Sequence, residues 1–323
     1  MLLGNLSNSI SSGRNKHRDA HGQYPVFGST GIIGYSSTYE YEGPVILVAR
    51  VGANAGTLNF ASGQYDVSDN TLIITIKQNV YDYNFAYNQL THYKLNKLVF
   101  GSGQPLITSK QLKNIRIPVP PLAEQRKIAE VLGVWDEAIE KQARLIEKLA
   151  LRKRALMQRL LSAKLRLPGF SEPWKKVKLG DVAELYQPQT IQSEDLSQTG
   201  YPVYGANGLI GYYNNYNHEY PQVVITCRGS SCGTVNFTPG KCWITGNAMV
   251  LNVDNNRDVN KSFFYYLISN SSFVNLISGS GQPQIVRQPL LKFELRIPPL
   301  KEQTAIAEVL TAADREIDLA KEK

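Results

Sequence analysis

Residues 120–161 read PPLAEQRKIAEVLGVWDEAIEKQARLIEKLALRKRALMQRLL, and this stretch decides how the rest of the chain is organised. After the two prolines it contains no further proline and only one glycine, a composition typical of a single long helix. A helix of this length spans roughly 60 Å, so we expect it to pack along another element. Apolar residues recur in it at the 3.5-residue spacing of a coiled-coil seam, namely Ile128, Leu132, Trp135, Ile139, Ile146, Leu149, Leu156 and Leu160.

Two polar residues, Gln142 and Lys153, interrupt the seam, and we expect them to set its register. The end of the chain repeats the first half of the pattern, because residues 298–323 read PPLKEQTAIAEVLTAADREIDLAKEK. The repeat predicts one helix over 120–166 and a second, shorter one over 300–323.

The segments that precede the two helices are also copies of each other. The sequence YPVFGSTGIIGY at 24–35 returns as YPVYGANGLIGY at 201–212, and GSGQP at 101–105 returns unchanged at 279–283. Self-similarity at a nearly constant offset indicates tandem structural units. We therefore predict two copies of a domain followed by a helix.

Each domain is predicted to be mostly β. Residues 45–51 and 71–77 are β-branched runs bounded by turn residues, whereas a helical pattern is confined to 83–98. The predicted fold class is α+β, with one domain at 1–119 and the other at 167–299.

The composition is that of a folded protein. The chain has 323 residues, 42% of them apolar and 19% charged, which does not fit a disordered segment. No apolar run reaches the roughly 18 residues needed to cross a bilayer, so we expect a soluble, cytoplasmic protein.

Positive charge is concentrated in one segment. Residues 144–178 contain eleven lysines or arginines against two glutamates, although the whole chain carries a net charge of only +8. One interpretation is a solvated helix face, and the other is a strip that faces a polyanion such as the DNA backbone.

No pattern of catalytic or metal-binding residues emerges from the sequence. It has no phosphate-binding loop, no H-E-x-x-H and no nucleophile elbow. The three cysteines, Cys227, Cys232 and Cys242, do not make a four-ligand zinc set, and small buried hydrophobic residues are the better interpretation. We expect neither a metal nor a cofactor on this chain.

Candidate DNA-binding residues lie near the repeated motifs. Arg50 and Arg228 end matching β-branched runs, at positions that we take as equivalent, and could contact a base edge or a phosphate; a buried salt bridge is the alternative. Gln104 and Gln282, in the GSGQP loops, could contact adenine or could pack the loop against the root of the helix.

Two further pairs complete the candidate set. Lys110 and Arg287 follow the GSGQP loops by a few residues and favour nucleic acid. Within the YPV motifs the two copies differ, since Thr30 of the first corresponds to Asn207 of the second. If each domain reads bases, such differences predict two unlike half-sites and an asymmetric target.

The chain resembles the DNA specificity subunits of Type I restriction-modification systems. The resemblance covers essentially the whole chain and rests on the domain-helix-domain-helix layout, the GSGQP loops, the YPVYGANGLIGY type of motif, and IPVPPLAEQRKIAEVL at 117–132 with its counterpart IPPLKEQTAIAEVL at 297–310. It implies a non-catalytic subunit with two target-recognition domains. Each would read one half of a split DNA sequence, while the two helices pair as an antiparallel coiled coil that sets the spacer.

The resemblance also implies partners. Two methyltransferase subunits, which bind S-adenosylmethionine and methylate adenine, would dock on this chain, and restriction/translocase subunits would join for cleavage. The sequence itself lacks the F-x-G-x-G and [NDS]-P-P-[YF] motifs of such methyltransferases.

One departure from the family pattern concerns the second helix, which has no counterpart of the basic half of the first. The helix pair could be asymmetric, another chain such as a second copy could complete it, or the C-terminus could be truncated. Two other function classes also stay open at this stage: an enzyme fused to recognition domains, and a bivalent scaffold that binds protein or carbohydrate through its Tyr-rich loops.

Overall fold

The computed structural model describes residues 1–16, 19, 21–101, 105–205, 208–279 and 281–322. The chain divides into two compact units, Met1–Glu140 and Lys141–Lys323, called unit 1 and unit 2 below. No helix in the described part of the chain combines the length and the apolar composition needed to cross a membrane.

Unit 1 begins with a four-residue helix and is then mostly β. Its elements, in chain order, are α1 Leu3–Leu6, β1 Ser7–Ser12, β2 Tyr24–Gly28, β3 Gly31–Ser36, β4 Tyr41–Glu42, β5 Val45–Ala49, β6 Leu58–Ala61, β7 Gln64–Val67, β8 Thr71–Ile76, α2 Tyr83–Tyr93, a 3-10 turn at Leu95–Leu98, α3 Ser109–Lys113 and the start of α4 Leu122–Leu160. The strands form two four-stranded sheets, with orders β1-β8-β5-β6 and β3-β2-β7-β4. The β-rich prediction, with a helix near Tyr83, is confirmed.

Strand β5 lies inside the unit with both faces covered. Ile46 and Val48 belong to a core shared with α1, α2 and α3, whereas Val45 and Leu47 belong to a second core that includes Tyr65 of the other sheet. Successive side chains of a strand point to opposite faces, so a strand between two layers is apolar at every position. This explains why the run VILVA does not alternate with polar residues.

Local signals explain where the helices of unit 1 begin. The Asp82 carboxylate accepts hydrogen bonds from the backbone N–H groups of Asn84 and Phe85, both at 3.0 Å, and so caps α2. Thr108 and Gln111 form a reciprocal capping box at the start of α3. Helix α2 ends at Lys94, which adopts a left-handed conformation with φ of 58°.

Unit 2 repeats this architecture. After the end of α4 come β9 Lys175–Lys178, α5 Leu179–Val182, β10 Glu184–Tyr186, a 3-10 turn at Ser193–Asp195, β11 Tyr201–Gly205, β12 Gly208–Tyr213, β13 Val223–Thr226, β14 Val235–Phe237, β15 Trp243–Ile244, β16 Ala248–Asn252, α6 Lys261–Ser269, a 3-10 turn at Val274–Leu276, α7 Arg287–Leu291, β17 Glu294–Ile297 and α8 Leu300–Lys321. Its sheets have the orders β10-β16-β13-β14, β12-β11-β15 and β17-β9. The predicted duplication is therefore present in the fold.

Helix α4, of 39 residues, begins in unit 1 and ends in unit 2. Within unit 2 it runs antiparallel to α8, because Gln142 bonds the Ala320 carbonyl oxygen, Arg152 contacts Glu316 at 2.6 Å, and Arg166, just beyond the end of α4, bonds Glu302 at the start of α8. The predicted antiparallel pairing is confirmed. Of the predicted seam, Ile146, Leu149 and Leu156 are half-buried in this unit.

The two polar seam residues have specific partners. The Gln142 amide donates to the Ala320 carbonyl, and the Lys153 ammonium pairs with the Asp314 carboxylate. Asp314 also accepts a hydrogen bond of 2.7 Å from the Tyr266 hydroxyl. A helix pair that slipped by one residue would lose these contacts, which supports the expected role in register.

The four seam residues of α4 that lie in unit 1 are exposed in the chain. Ile128 and Leu132 are 36% and 41% exposed, and Trp135 and Ile139 are 66% and 64% exposed. That part of the seam stays a prediction.

Candidate nucleic-acid interface

Three of the predicted DNA-binding residues of unit 1 can be placed, whereas Gln104 lies outside the described residues. Arg50 follows β5 and is half-buried, and its guanidinium donates to the Ser12 hydroxyl at 3.2 Å. Thr30 is exposed in the turn between β2 and β3. Lys110 is exposed in the first turn of α3.

Asn70 links two of these elements. Its carbonyl oxygen accepts a hydrogen bond from the Arg50 backbone N–H at 2.9 Å and another from the Ser29 hydroxyl at 3.3 Å. The structure therefore brings the β2–β3 turn, which carries Thr30, close to the end of β5. One of these links joins backbone to backbone, and the other is made by the Ser29 hydroxyl.

In unit 2, Arg228, Gln282 and Arg287 are all exposed, and Asn207 lies outside the described residues. Arg228 follows β13, and the next residue, Gly229, donates from its backbone N–H to the Pro283 carbonyl at 3.0 Å. The residue that follows Arg228 is thus joined to the residue that follows Gln282. Arg287 is the first residue of α7.

The prediction that Arg50 and Arg228 are equivalent is wrong. The Arg50 N–H bonds the Asn70 carbonyl in unit 1, and the same bond in unit 2 is made by the Cys227 N–H to the Asn247 carbonyl. Arg50 therefore corresponds to Cys227, and Arg228 corresponds to Val51. The offset between the copies is 177 here and 178 at the GSGQP loops, and the two arginines, which are 178 residues apart, are therefore one residue out of register with each other. In extended chain, one residue moves a side chain to the opposite face.

Cys227 and Cys242 are buried as small apolar groups, whereas Cys232 is half-buried. Cys227 is 1% exposed, and burial raises the pKa of its thiol to about 11. Burial also raises the pKa of Cys242. All three thiols are free, and no group of three or more His, Cys, Asp or Glu in the described part of the chain is placed to hold a metal ion.

The residues that flank each GSGQP sequence pair with each other as opposite residues of two antiparallel strands do. In unit 1 Phe100 lies opposite Leu106, and their backbones exchange hydrogen bonds of 3.2 and 3.0 Å. In unit 2 Ser278 lies opposite Gln284, with bonds of 2.9 and 2.8 Å. The sequence predicted a turn in each copy. It did not predict that the residues flanking the turn form the same two backbone hydrogen bonds in both copies.

The basic segment at 144–178 is partly neutralised by carboxylates of unit 2. Arg152, Lys153 and Arg166 pair with Glu316, Asp314 and Glu302 of α8, and Lys176 contacts Glu294 at 2.7 Å. At least four of the eleven basic side chains thus have acidic partners. The positive charge that this segment presents is therefore smaller than its sequence alone indicates. The choice between a solvated helix face and a strip that faces a polyanion stays open.

Sequence reasoning missed two glutamines that join the domains to their helices. The Gln125 side-chain oxygen accepts from the Asp82 N–H at 2.9 Å, and its NH2 donates to the Val80 and Pro120 carbonyls at 2.9 and 2.8 Å. Gln303 makes the same three bonds to Asn260, Asp258 and Pro298, all at 2.9 Å. Both glutamines are buried. The signal that could have found them is the glutamine shared by PPLAEQ and PPLKEQ.

Comparison with known proteins now decides the family. The family model described as "Type I restriction modification DNA specificity domain" matches the chain twice, at residues 8–150 and 171–323. The chain belongs to the Type I restriction-modification DNA specificity family. The resemblance noted from the sequence is confirmed, as is the prediction of a DNA specificity subunit rather than an enzyme.

Two relatives illustrate how far apart members of the specificity family are. The MjaVIII specificity subunit of Methanocaldococcus jannaschii is 24% identical over 86% of this chain and 74% of its own length. A Haemophilus influenzae protein named "Putative type I restriction enzyme specificity subunit" is 23% identical over 95% of this chain and 85% of its own length.

Solved structures show that the fold is shared within the specificity family. The crystal structure of a Type I restriction-modification S subunit from M. genitalium superposes with a TM-score of 0.76 at 20% identity, covering 100% of this chain and 90% of that one. A chain from a study of the assembly and conformational transition of the type I system superposes with a TM-score of 0.57 at 20% identity, covering 100% and 91%. Two β-rich domains, each followed by a helix, are the arrangement that these comparisons support.

Proposed function

We propose that this chain selects the DNA target of a Type I restriction-modification complex in the cytoplasm. Each β-rich domain reads one half of a split duplex sequence, and helices α4 and α8 set the number of base pairs between the halves. The observation that carries the proposal is a duplicated scaffold whose backbone contacts repeat while its exposed side chains differ. A repeated scaffold with unlike surfaces suits an asymmetric target with two recognition points.

The division of labour within each domain follows from the chemistry of its side chains. Exposed basic residues such as Lys110 and Arg287 contact phosphates, which supplies affinity without regard to sequence. Loops near Arg50 and Arg228 contact base edges, which supplies discrimination. The two domains also differ in side-chain chemistry within the repeated motif, at Ser29 and Thr30 of the first copy and at Asn207 of the second.

The reaction itself belongs to partner chains. Two methyltransferase subunits that bind S-adenosylmethionine modify adenine in the selected sequence, and restriction/translocase subunits join the complex for cleavage. Another chain, either one of these subunits or a second copy, covers the exposed seam residues Ile128, Leu132, Trp135 and Ile139. Large apolar side chains that stay exposed along one helix stripe are typical of such contacts.

The test is to co-express the chain with the proteins encoded next to its gene, in a host that lacks adenine methylation. N6-methyladenine is then mapped along the genome by single-molecule sequencing. We expect one split motif, with two unlike half-sites and a fixed gap. Methylation that occurs without the chain, or that is spread over unrelated sequences in its presence, would contradict the proposal.

A second measurement separates DNA from an uncharged ligand. Binding of the co-expressed complex to a duplex that contains the mapped motif should weaken steeply as salt concentration rises, because phosphate contacts release counterions. Binding that does not respond to salt would contradict a DNA-reading role.

A further inference from the structure

The residues that flank the GSGQP loops form a short cross-strand row in each unit, which we call the loop-base row. In unit 1 the row is Val51, Leu106 and Phe100, because Leu106 lies opposite both Val51 and Phe100. In unit 2 it is Arg228, Gln284 and Ser278, because Gln284 lies opposite both Arg228 and Ser278. Residues directly opposite each other on antiparallel strands share a face, so the three side chains of a row lie side by side.

The backbone of the two rows is the same. In unit 1 the Gly52 N–H donates to Pro105 and the Ile107 N–H donates to Arg50, both at 2.9 Å. In unit 2 Gly229 donates to Pro283 at 3.0 Å and Ile285 donates to Cys227 at 2.9 Å. These bonds flank the 51–106 and 228–284 pairs, which are therefore non-hydrogen-bonded pairs with closely spaced side chains.

The side chains of the two rows have opposite chemistry. Val51, Leu106 and Phe100 are all apolar, yet Phe100 is 51% exposed and the other two are only half-buried. Arg228, Gln284 and Ser278 are all polar and all exposed. The loop that each row supports is identical in sequence, GSGQP. If the row served only to hold the loop, its side chains would not need to differ in polarity between the two units at all three positions.

We propose that the loop-base row is a specificity determinant of each domain, an inference that rests on the proposed function. In unit 2, two side chains bind the major-groove edges of two adjacent purines. The Arg228 guanidinium binds a guanine, and the Gln284 amide binds the adjacent adenine. In unit 1, the apolar row contacts a thymine methyl group. The GSGQP loop is common to both domains because it positions the row and does not distinguish bases.

The experiment uses the full chain, co-expressed with its methyltransferase partner, and reads the methylated motif. Arg228→Val with Gln284→Leu gives unit 2 a row like that of unit 1, and Val51→Arg with Leu106→Gln makes the converse change. We expect each double variant to change the accepted base at one or two positions of one half-site, with the other half-site and the gap unchanged. Preference for the original base should fall by about 10- to 100-fold.

The matched control is Arg315→Val, which removes an exposed arginine on α8, outside both rows; it should leave the motif unchanged. If the wild-type complex yields no split motif, the proposed function fails. If the wild type yields a split motif and both double variants keep it unaltered, only the present inference fails.

A double variant could lose methylation altogether through poor folding, and Arg228→Lys resolves that case. Lysine keeps the charge but lacks the planar fork that pairs with guanine. A relaxed base preference at one position with Arg228→Lys supports the inference. An unchanged motif, or no methylation even with this charge-conserving change at an exposed site, overturns it.

Discussion

Arg166 holds Glu302 through two hydrogen bonds, from Nε to Oε1 at 2.6 Å and from Nη2 to Oε2 at 2.8 Å. The Glu302 side chain is 1% exposed, and the Trp174 indole N–H donates to it at 3.3 Å. This pair, in which Glu302 is buried and Arg166 is half-buried, joins the segment that follows α4 to the first turn of α8. It therefore helps to fix where the second helix leaves the second domain.

Removal of one partner of this pair should strongly decrease the free energy of unfolding. Arg166→Ala leaves the Glu302 carboxylate buried without its counter-ion, and we expect the free energy of unfolding to fall by about 3–5 kcal/mol. Urea unfolding followed by tryptophan fluorescence measures the change. The matched control is Glu294→Ala, which breaks the exposed Lys176–Glu294 pair and should cost about 1 kcal/mol or less. Equal costs for the two variants would show that burial of Glu302 does not matter.

The two buried glutamines should be equally sensitive in both copies. Gln125→Ala and Gln303→Ala each leave buried backbone groups without partners, and we expect a loss of about 1–3 kcal/mol from each. Glutamine to glutamate is the sharper change, since it keeps the acceptor oxygen but replaces both N–H donors. It should be at least as destabilising as alanine in thermal unfolding. Gln158→Ala, at an exposed position of α4, is the control and should have little effect.

Only one face of α4 should be needed for its packing against α8. Ile146→Asp with Leu149→Asp places charges on the half-buried face, and we expect the C-terminal part of α8, beyond Asp314, to detach. The first turns of α8, whose Ile306 and Leu310 belong to the core of unit 2, should stay in place, and the β-rich domains should stay folded. Limited proteolysis should then cut within α8 and leave the domains resistant. Leu145→Asp with Leu151→Asp, on the exposed side of the same helix turns, should leave α8 protected. Rapid digestion of the domains themselves would show that the seam belongs to their cores.

His218 makes the stability of unit 2 depend on pH. Burial lowers the pKa of this imidazole below the usual 6.5, although Asp254 opposes the shift. Its ring nitrogens contact the Tyr186 hydroxyl at 2.9 Å and the Asn217 amide oxygen at 2.6 Å. As pH falls below about 6.5, the unfolded chain takes up a proton on His218 before the native chain does, so the free energy of unfolding decreases.

We therefore expect wild type to lose more stability between pH 7.5 and pH 5.5 than His218→Asn does. Denaturant unfolding at the two pH values measures the difference. His92→Asn, at an exposed position, is the control and should follow the wild-type pH dependence. A wild-type stability that rises on acidification relative to His218→Asn would reverse the sign and refute this assignment.

Sequence patterns predicted the large-scale organisation because it depends on periodicity and repetition. The PPL-x-E-Q motifs, the long proline-free stretch and the nearly constant offset between the copies indicated two β-rich domains, each followed by a helix, and the family resemblance implied that the helices pair antiparallel. The candidate interface was harder to predict from the sequence. Arg228 and Gln282 were indicated by the sequence, whereas the residue opposite Arg228 is Gln284. Arg50 was assigned the wrong counterpart because a single-residue change in offset cannot be recognised without the backbone hydrogen bonds.

The sequence by itself determined the duplication and the two helices, since both follow from spacing along the chain, and its motifs determined the family. Only the tertiary structure decided which side chains share a face and which charges meet. It paired Arg152, Lys153 and Arg166 with acids more than a hundred residues away, and it aligned Arg228 with Gln284 and Ser278. Such partners depend on strand register and helix pairing, and side-chain periodicity is the same for a register that is displaced by two residues or by one helix turn.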